Sequence, residues 1–276
     1  MKTINLTHKI TQLSIATLTG LALTLTSLSS VYADKLADDV KKGLEIAQAI
    51  DKQETGFIDS IANMNMILKN KQGQTNTRKV KVHTLEMTGD GDKGLSIFNT
   101  PRDIKGTAAL TYSHSLKPDE QWIYLPALKR VKRISSKNKS GPFMGSEFAF
   151  EDISSQEVDK YTYKYIKDDV LEGIDSVVIE RYPAYKHSGY TRQVVWVNKK
   201  ENRVEKIVFY DRKNSLLKTL VFSGYKQYLN QFWRPDSMHM VNHQTKKSTT
   251  LNWENYQFKT GLTEKDFNRN SLKRAR

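Results

Sequence analysis

The spacing of apolar positions along the chain changes near residue 55. Between Leu36 and Ile50 apolar residues recur every three or four positions, which predicts an amphipathic helix. After it, apolar and polar positions alternate, or β-branched and aromatic residues form short runs between turn residues. The predicted strands are 58–69, 78–88, 95–99, 107–113, 122–125, 161–167, 176–182, 191–197, 204–211, 215–225, 232–241 and 248–258. A short polar helix is predicted over 263–273, with Thr263 as its N-cap.

Evenly spaced strands joined by hairpin turns, with one helix in front of them, are typical of a mainly β protein. The run Gly89-Asp90-Gly91-Asp92 is one such hairpin signal. A sheet with this many strands curls, and the helix and the loops must cover its concave face. We therefore predict a large curved antiparallel sheet or open barrel.

The N-terminus has the pattern of a secretory signal peptide. Residues 1–9 carry positive charge, residues 13–28 are apolar and uncharged, and Val31 and Ala33 stand at the −3 and −1 positions of a cleavage site. We predict that residues 1–33 are removed. A membrane anchor is the alternative, but threonine and glycine interrupt the apolar run, and a spanning helix needs about 20 predominantly apolar residues.

The composition of the remaining chain limits its partners. Removal of 33 of the 276 residues leaves 243, which we predict to form a single domain over 34–276. The chain has no cysteine, so the domain has no disulfides, and position +1 is Asp34, which cannot carry a lipid. The mature chain would hold 42 basic and 30 acidic residues, a net charge of +12, because Lys2 and Lys9 leave with the signal. Anionic lipid or an acidic protein fits this charge, and export argues against nucleic acid.

Residues 121–152 join an apolar strand to a basic run and then to an apolar loop. The basic run includes Lys129, Arg130, Lys132 and Arg133, which we predict to contact an anionic headgroup or an acidic partner. If the run extends the strand at Trp122, its charges point to both faces of the sheet. The alternative is a solvated edge strand, since lysines also protect sheet edges from aggregation.

The loop that follows the basic run is apolar. It carries four large side chains that we predict to form a lid: Phe143, Met144, Phe148 and Phe150. An exposed apolar loop is unfavourable unless it covers something or meets a partner. The alternative is a loop folded onto the core.

Several strands carry apolar stripes that suit a cavity with variable contents. The candidate cavity residues are Met64, Met66, Leu68, Leu110, Tyr112, Trp122, Tyr124, Trp196 and Phe222. Methionine is flexible and polarizable, which helps a cavity wall adapt to its ligand. The alternative for each of these residues is ordinary core.

The sequence gives little support for a catalytic site. The chain has no cysteine nucleophile and no Gly-x-Ser-x-Gly elbow. His239 and His243 lie in a predicted extended segment, about 13 Å apart, too far to share a metal ion. We predict that the protein is not an enzyme and needs no cofactor or metal.

The segments QWIYLPALKRVKRI and SGPFMGSEFAFED, with GTAALTYSH upstream at 106–114, resemble the signature of the LolA-like outer-membrane lipoprotein-sorting protein family. The branch they resemble is often found with lipid exporters of the resistance-nodulation-division (RND) type. The resemblance extends from about residue 40 to the end of the chain. It implies a half-open antiparallel β-barrel of the LolA/LolB type, in which an N-terminal helix and a loop act as lid over an apolar cavity.

The net positive charge, the apolar loop and the family resemblance together predict a soluble periplasmic carrier. It would shelter acyl chains of a lipoprotein or lipid and pass them between an inner-membrane transporter and an outer-membrane acceptor. The alternative is a periplasmic adaptor, an accessory subunit of an RND-type exporter that binds no lipid. The adaptor predicts a filled barrel interior and a salt-sensitive protein contact. A lipid-binding sensor is a third possibility.

Overall fold

The computed structural model describes residues 16–270 and 272–274, and their side chains from Ala33 onward. One helix, α1 (Ala16–Glu54), precedes the strands. The strands are β1 (Asp59–Lys69), β2 (Thr75–Leu85), β3 (Lys93–Thr100), β4 (Ala108–Tyr112), β5 (Glu120–Leu125), β6 (Arg130–Ile134), β7 (Tyr161–Leu171), β8 (Ile174–Pro183), β9 (Tyr190–Asn198), β10 (Arg203–Asp211), β11 (Leu216–Ser223), β12 (Lys226–Tyr228), β13 (Phe232–Arg234), β14 (Ser237–Asn242) and β15 (Ser248–Phe258).

Thirteen of these strands form one antiparallel sheet in the order β6-β5-β4-β3-β2-β1-β15-β14-β11-β10-β9-β8-β7. The pairing of β1 with β15 joins the first half of the sheet to the second. Among the described strands, β6 and β7 each pair with one neighbour only, so the sheet remains open. Strands β12 and β13 form a separate hairpin. The prediction of a mainly β fold with a large, unclosed antiparallel sheet and an N-terminal helix is confirmed.

Helix α1 is longer than the sequence pattern predicts. It begins at Ala16 in the described part of the chain and passes through the predicted cleavage site at Ala33. The first 15 residues of the predicted signal peptide lie outside the described residues. Towards its end, α1 crosses the edge strand β7. A Cβ atom on Gly43 would lie 2.8 Å from backbone atoms of Lys164, so the close contact of helix and strand requires glycine.

The structure decides two local questions that the sequence raised. The basic run does not extend the strand at Trp122, because a 3-10 turn at Pro126–Leu128 reverses the chain. The run then returns as β6, antiparallel to β5, with Val131 opposite Tyr124. The C-terminal segment forms two 3-10 turns, at Glu264–Phe267 and Leu272–Arg274, so the prediction of a single short helix over 263–273 is wrong.

The sheet carries apolar side chains on both faces. We call the face beneath α1 the inner face. Leu220, Ile207, Val195 and Ile179 lie side by side on it, on four adjacent strands. Besides α1, the segment between β6 and β7 covers this face, and we call residues 135–160 the covering loop. The inner core therefore lies between the sheet, α1 and the covering loop.

The opposite, outer face has its own core in the first half of the sheet. Leu95, Leu110 and Trp122 are adjacent on β3, β4 and β5. The C-terminal turns cover them with Phe267, which has no exposed surface, and Leu272, which is 1% exposed. Among the described residues, no helix combines the length and the apolar character needed to cross a bilayer.

Candidate functional site

A cavity of about 810 Å³ lies on the inner face, between the sheet and its covering elements. Its floor includes Ala62, Val195 and Leu220, from strands in both halves of the sheet. Its cover includes Ile50 of α1 and Phe148 of the covering loop. The volume falls within the range of about 300–1,000 Å³ that is usual for small-molecule sites. The floor is apolar, whereas much of the remaining wall is polar or charged.

One part of the cavity wall is acidic. Five carboxylates line it: Asp51, Glu86, Asp92, Glu157 and Asp159. Burial raises the pKa of Asp92 to about 7, although a hydrogen bond from the Met87 backbone lowers it; nearby Glu157 and Glu86 add to the rise. Burial and then Glu157 also raise the pKa of Asp51. This part of the wall therefore resists the addition of a further negative charge.

Three arginines also line the cavity, and two of them are paired. Arg203 Nη1 lies 2.7 Å from the carboxylate of Glu201, and its Nε lies 2.9 Å from that of Glu205. Arg234 pairs with Glu54 at the end of α1. Arg181, the third, has no carboxylate within 4 Å among the described residues.

The predicted cavity residues divide between the two faces. Phe222 lines the cavity. Met64, Met66 and Leu68 lie on the inner face but belong to the packed core. The other five lie on the outer face, away from the cavity: Leu110, Tyr112, Trp122, Tyr124 and Trp196.

The outer-face positions of these five residues correct the prediction. Leu110, Tyr112, Trp122 and Tyr124 pack in the outer core under the C-terminal turns. The Trp196 indole donates to the Asp169 carboxylate over 2.9 Å, and the ammonium of Lys206 lies over its ring. Alternation tells which residues share a face of a strand, but it does not tell which face will be covered by which element.

The covering loop is packed onto the core. Phe143 and Phe148 are each 2% exposed, and the Phe143 ring contacts those of Phe98 and Phe150. The backbone carbonyl of Met144 accepts a hydrogen bond from Arg78. The loop therefore folds onto the core, which was the alternative in the sequence analysis. Phe148 still forms part of the cavity cover, so a role as lid stays a prediction.

Buried charged side chains bind the covering loop to the second half of the sheet. Lys218 on β11 lies 2.6 Å from the Asp152 carboxylate, and both side chains are less than 10% exposed. Glu151 accepts hydrogen bonds from Tyr185, Ser188 and the Gly189 backbone. Burial and the neighbouring Asp152 raise the pKa of Glu151. The adjacent carboxylates at 151 and 152 therefore anchor the loop.

The basic run lies on an edge of the sheet and outside the cavity. Lys129, Arg130, Lys132 and Arg133 are all exposed, and none of them lines the cavity wall. Arg133 pairs with Glu120 on the neighbouring strand at 2.7 Å. The placement matches the solvated edge strand of the sequence analysis, and a partner contact remains a prediction for the exposed cations.

The sequence analysis missed Arg181, although a signal for it was present. Val177, Ile179 and Arg181 occupy every second position of β8, and all three are buried on the inner face. A cation that continues an apolar stripe in a strand is unusual, because an unpaired buried charge is unfavourable. The pattern alone could have identified it.

The comparisons with known proteins agree with the fold. A family model described as "Uncharacterized protein" matches residues 90–274. A solved domain from Vibrio parahaemolyticus, assigned to outer-membrane lipoprotein sorting, is 58% identical, with a TM-score of 0.84, over 85% of this chain and 99% of that one. A DUF1329 family protein from Desulfovibrio piger is 30% identical, with a TM-score of 0.81, over 85% of this chain and 99% of that one.

A more distant likeness extends the comparison. A LolA superfamily protein from Nitrosomonas europaea has the same fold with a TM-score of 0.67 and 18% identity, over 82% of this chain and 97% of that one. No curated protein matches the chain. The fold and cavity define a LolA-type protein, with an open antiparallel sheet covered by a helix and a loop. The chain belongs to the LolA-like family of outer-membrane lipoprotein-sorting proteins.

Proposed function

We propose that this protein is a periplasmic carrier that shelters acyl chains of a lipid or lipoprotein during transfer between membranes. The observation that carries the proposal is the cavity of about 810 Å³ on the inner face, with an apolar floor built from both halves of the sheet. Membership of a family of lipoprotein-sorting proteins supports it. The working form is the domain over 34–276, after removal of the signal peptide.

The chemistry of such a cavity suits acyl chains. Removal of apolar surface from water contributes about 0.8 kcal/mol for each buried CH₂ group. The floor presents the methyl groups of Val195, Ile207 and Leu220. Contacts with methyl groups are not directional, so acyl chains of different length can bind. Binding of this kind needs no catalytic residue and no cofactor. Directed transfer then depends on an inner-membrane transporter and an outer-membrane acceptor with greater affinity for the cargo.

The open interior favours a carrier over an adaptor. An adaptor that never holds lipid has no reason to keep space beneath its covering elements, since empty apolar volume lowers stability. Here Ile50 of α1 and Phe148 of the covering loop lie over the floor without filling it. The exposed basic strand β6 is the surface that we assign to the contact with a transfer partner.

Native mass spectrometry of the protein purified from the cell envelope without detergent tests the carrier directly. A stoichiometric acyl lipid, identified after organic extraction, is the expected result. The same spectrum gives the N-terminus, which we expect at Asp34. A protein without bound lipid that also takes up none when lipids are added would overturn the carrier in favour of the adaptor.

A cavity-filling variant links lipid uptake to this cavity. Ala62 lies on β1 with its side chain in the cavity wall, so Ala62→Phe should reduce the lipid-bound fraction by about tenfold through loss of volume. The control is Ile61→Phe, one residue earlier, because Ile61 pairs with His83 on the other face. Equal uptake by both variants would place the acyl chains elsewhere.

The role of β6 is tested by transfer to acceptor vesicles. A variant with glutamine at Lys129, Arg130, Lys132 and Arg133 should bind lipid normally but deliver it more slowly to vesicles that contain phosphatidylglycerol. Because salt screens exposed charges, added salt should slow lipid delivery by the wild type until its rate approaches that of the variant. Identical delivery by both proteins at low salt would remove β6 from the transfer step.

A further inference from the structure

Arg181 is a buried cation in the cavity wall. It is 9% exposed, on the inner face of β8, and it lines the cavity. Its Nε donates a hydrogen bond of 2.7 Å to Oε1 of Gln193, which is itself 2% exposed. Its guanidinium lies over the ring of Tyr161, 4.8 Å from the ring centre. The head group is therefore held in one position by a hydrogen bond on one side and an aromatic ring on another.

The other buried cations show that this arrangement is unusual within the molecule. Among the described residues, four lysines or arginines are buried. Lys160 lies 3.0 Å from the Asp119 carboxylate, and Lys218 lies 2.6 Å from that of Asp152. Lys139 lies over the Tyr185 ring and does not line the cavity. Within the part of the chain that the structure describes, Arg181 alone combines burial, a place in the cavity wall and the lack of a carboxylate within 4 Å.

A guanidinium in this position has unused binding capacity. It carries five N–H donors, and the hydrogen bond to Gln193 uses the one on Nε. The two η nitrogens have no acceptor within the described part of the chain, so their N–H groups are available to a ligand. Their planar fork matches the two oxygens of a carboxylate or a phosphate. A buried cation without such a partner is unfavourable, and a bound anion would remove that penalty.

We propose that Arg181 binds the acidic group, phosphate or carboxylate, of an acyl ligand whose chains occupy the apolar part of the cavity. This inference rests on the proposed carrier function and specifies the chemistry of its cargo. The apolar floor at Ile179 and Val195 lies beside Arg181 on β8 and β9, so one amphiphile reaches both. The ligand binds with its acidic group at Arg181 and its chains along the row of apolar residues.

The acidic part of the wall restricts the rest of the headgroup. Asp51, Asp92 and Glu157 line the same cavity, and they would repel a second negative charge on the ligand. They would attract an amine. The cavity should therefore prefer a ligand with one acidic group and a neighbouring ammonium, such as phosphatidylethanolamine, over a phosphate monoester with two charges.

The test compares four probes with matched oleoyl chains: dioleoylphosphatidylethanolamine, oleic acid, dioleoylphosphatidic acid and dioleoylglycerol. Occupancy is measured by native mass spectrometry for the wild type, Arg181→Gln and Arg192→Gln. Arg192 is the matched control, because it precedes Gln193 on β9 and pairs with Glu180 outside the cavity. We expect Arg181→Gln to bind the acidic probes about tenfold more weakly, while dioleoylglycerol binds equally to all three proteins.

The melting temperature separates a binding role from a structural one. If Arg181 serves the ligand, Arg181→Gln should melt at the same temperature as the lipid-free wild type or higher, because an unpaired buried charge has been removed. A lower melting temperature together with unchanged preference for acidic probes would overturn the proposal and leave Arg181 as a structural residue. Stronger binding of phosphatidic acid than of phosphatidylethanolamine would overturn the assigned role of the carboxylates.

The outcomes also distinguish this inference from the carrier function. If the wild type takes up dioleoylglycerol and the acidic probes equally, and Arg181→Gln shows the same occupancies, the carrier function is supported but the role of Arg181 is refuted. If the wild type takes up none of the four probes, the carrier itself fails. Preference for oleic acid identifies a carboxylate ligand, and preference for phosphatidylethanolamine identifies a phosphate diester.

Discussion

Some side chains in the cavity wall have pKa values that differ from those they have in the unfolded chain. Asp92 shows this most clearly. Its carboxyl lies among other carboxylates, and burial raises its pKa to about 7 from the ordinary value of 3.8. Between these two values the folded protein binds more protons than the unfolded one. Stability therefore falls as the pH rises from about 4 to about 7.

Asp92→Asn should remove this dependence. Above pH 7 the wild type carries a partly buried negative charge, and the variant does not, so the variant should be more stable at pH 8 by on the order of 2 kcal/mol. At pH 4 the two should be equal. Urea unfolding at both pH values measures the difference, with the exposed Asp103→Asn as control. A constant difference at pH 4 and pH 8 would show that the Asp92 carboxyl does not titrate in this window.

At the scale of elements, the covering loop depends on its buried ion pair. Lys218→Ala leaves the Asp152 carboxylate buried with hydrogen bonds from Tyr190 and the Ala149 backbone but without a cation. We expect a loss of about 3 kcal/mol in the free energy of unfolding. The double variant Lys218→Met with Asp152→Asn should recover most of that loss, because no charge is then left unpaired.

Guanidinium unfolding of the wild type, the single variant and the double variant measures this coupling. The prediction fails if Lys218→Ala unfolds within about 0.5 kcal/mol of the wild type, as an ordinary surface substitution would. It also fails if the double variant is no more stable than the single one. In both cases the loop would be held by the packing of Phe143 and Phe148 and by the hydrogen bonds of Glu151, without a net contribution from the ion pair.

The elements themselves were largely predictable from the sequence. Alternation identified β1 well, because Ala62, Met64 and Met66 are all buried on one face, as the pattern indicated. It gave β6 only as the alternative of an edge strand, because a run of cations shows no alternation and pairing with β5 decides its conformation. It joined β13 to β14 across Pro235 and Asp236, where the chain leaves the hairpin.

The site was less predictable than the elements. Leu110 and Trp122 have the apolar character of a cavity wall, yet they lie on the outer face because the C-terminal turns pack there. Phe267, the residue at the centre of that packing, lies in a polar segment with little apolar pattern. Long-range packing of this kind is not encoded in local periodicity. The resemblance to a known family implied a helix and a loop over a cavity, but not the C-terminal turns on the outer face.

At the scale of the whole molecule, the outer face of the described sheet carries only a packed core, whereas the inner face carries both a packed core and the proposed binding cavity. Phe267→Ala, in the outer core, should reduce the free energy of unfolding by about 3–5 kcal/mol, because a fully buried ring is removed. Phe222→Ala, in the cavity wall, should reduce it by less than half as much. Phe222 is only half-buried, and part of its surface already faces open space.

Urea unfolding of the lipid-free proteins measures both values, and lipid uptake should show the reverse order. Phe267→Ala should bind lipid normally at temperatures where it is folded, whereas Phe222→Ala should change the amount or the chain length of the lipid retained. Equal losses of stability for the two variants would contradict the separation of the faces.

The second core on the outer face has a consequence for the history of this family. A sheet that packs on one side only has its whole hydrophobic core there, so a cavity on that side lowers the stability of the entire structure. Here Phe267 and Leu272 stabilise the outer side independently. Substitutions in the cavity wall, outside the packed inner core, can then accumulate without unfolding the chain, and descendants of one ancestor can come to bind different molecules on the same scaffold.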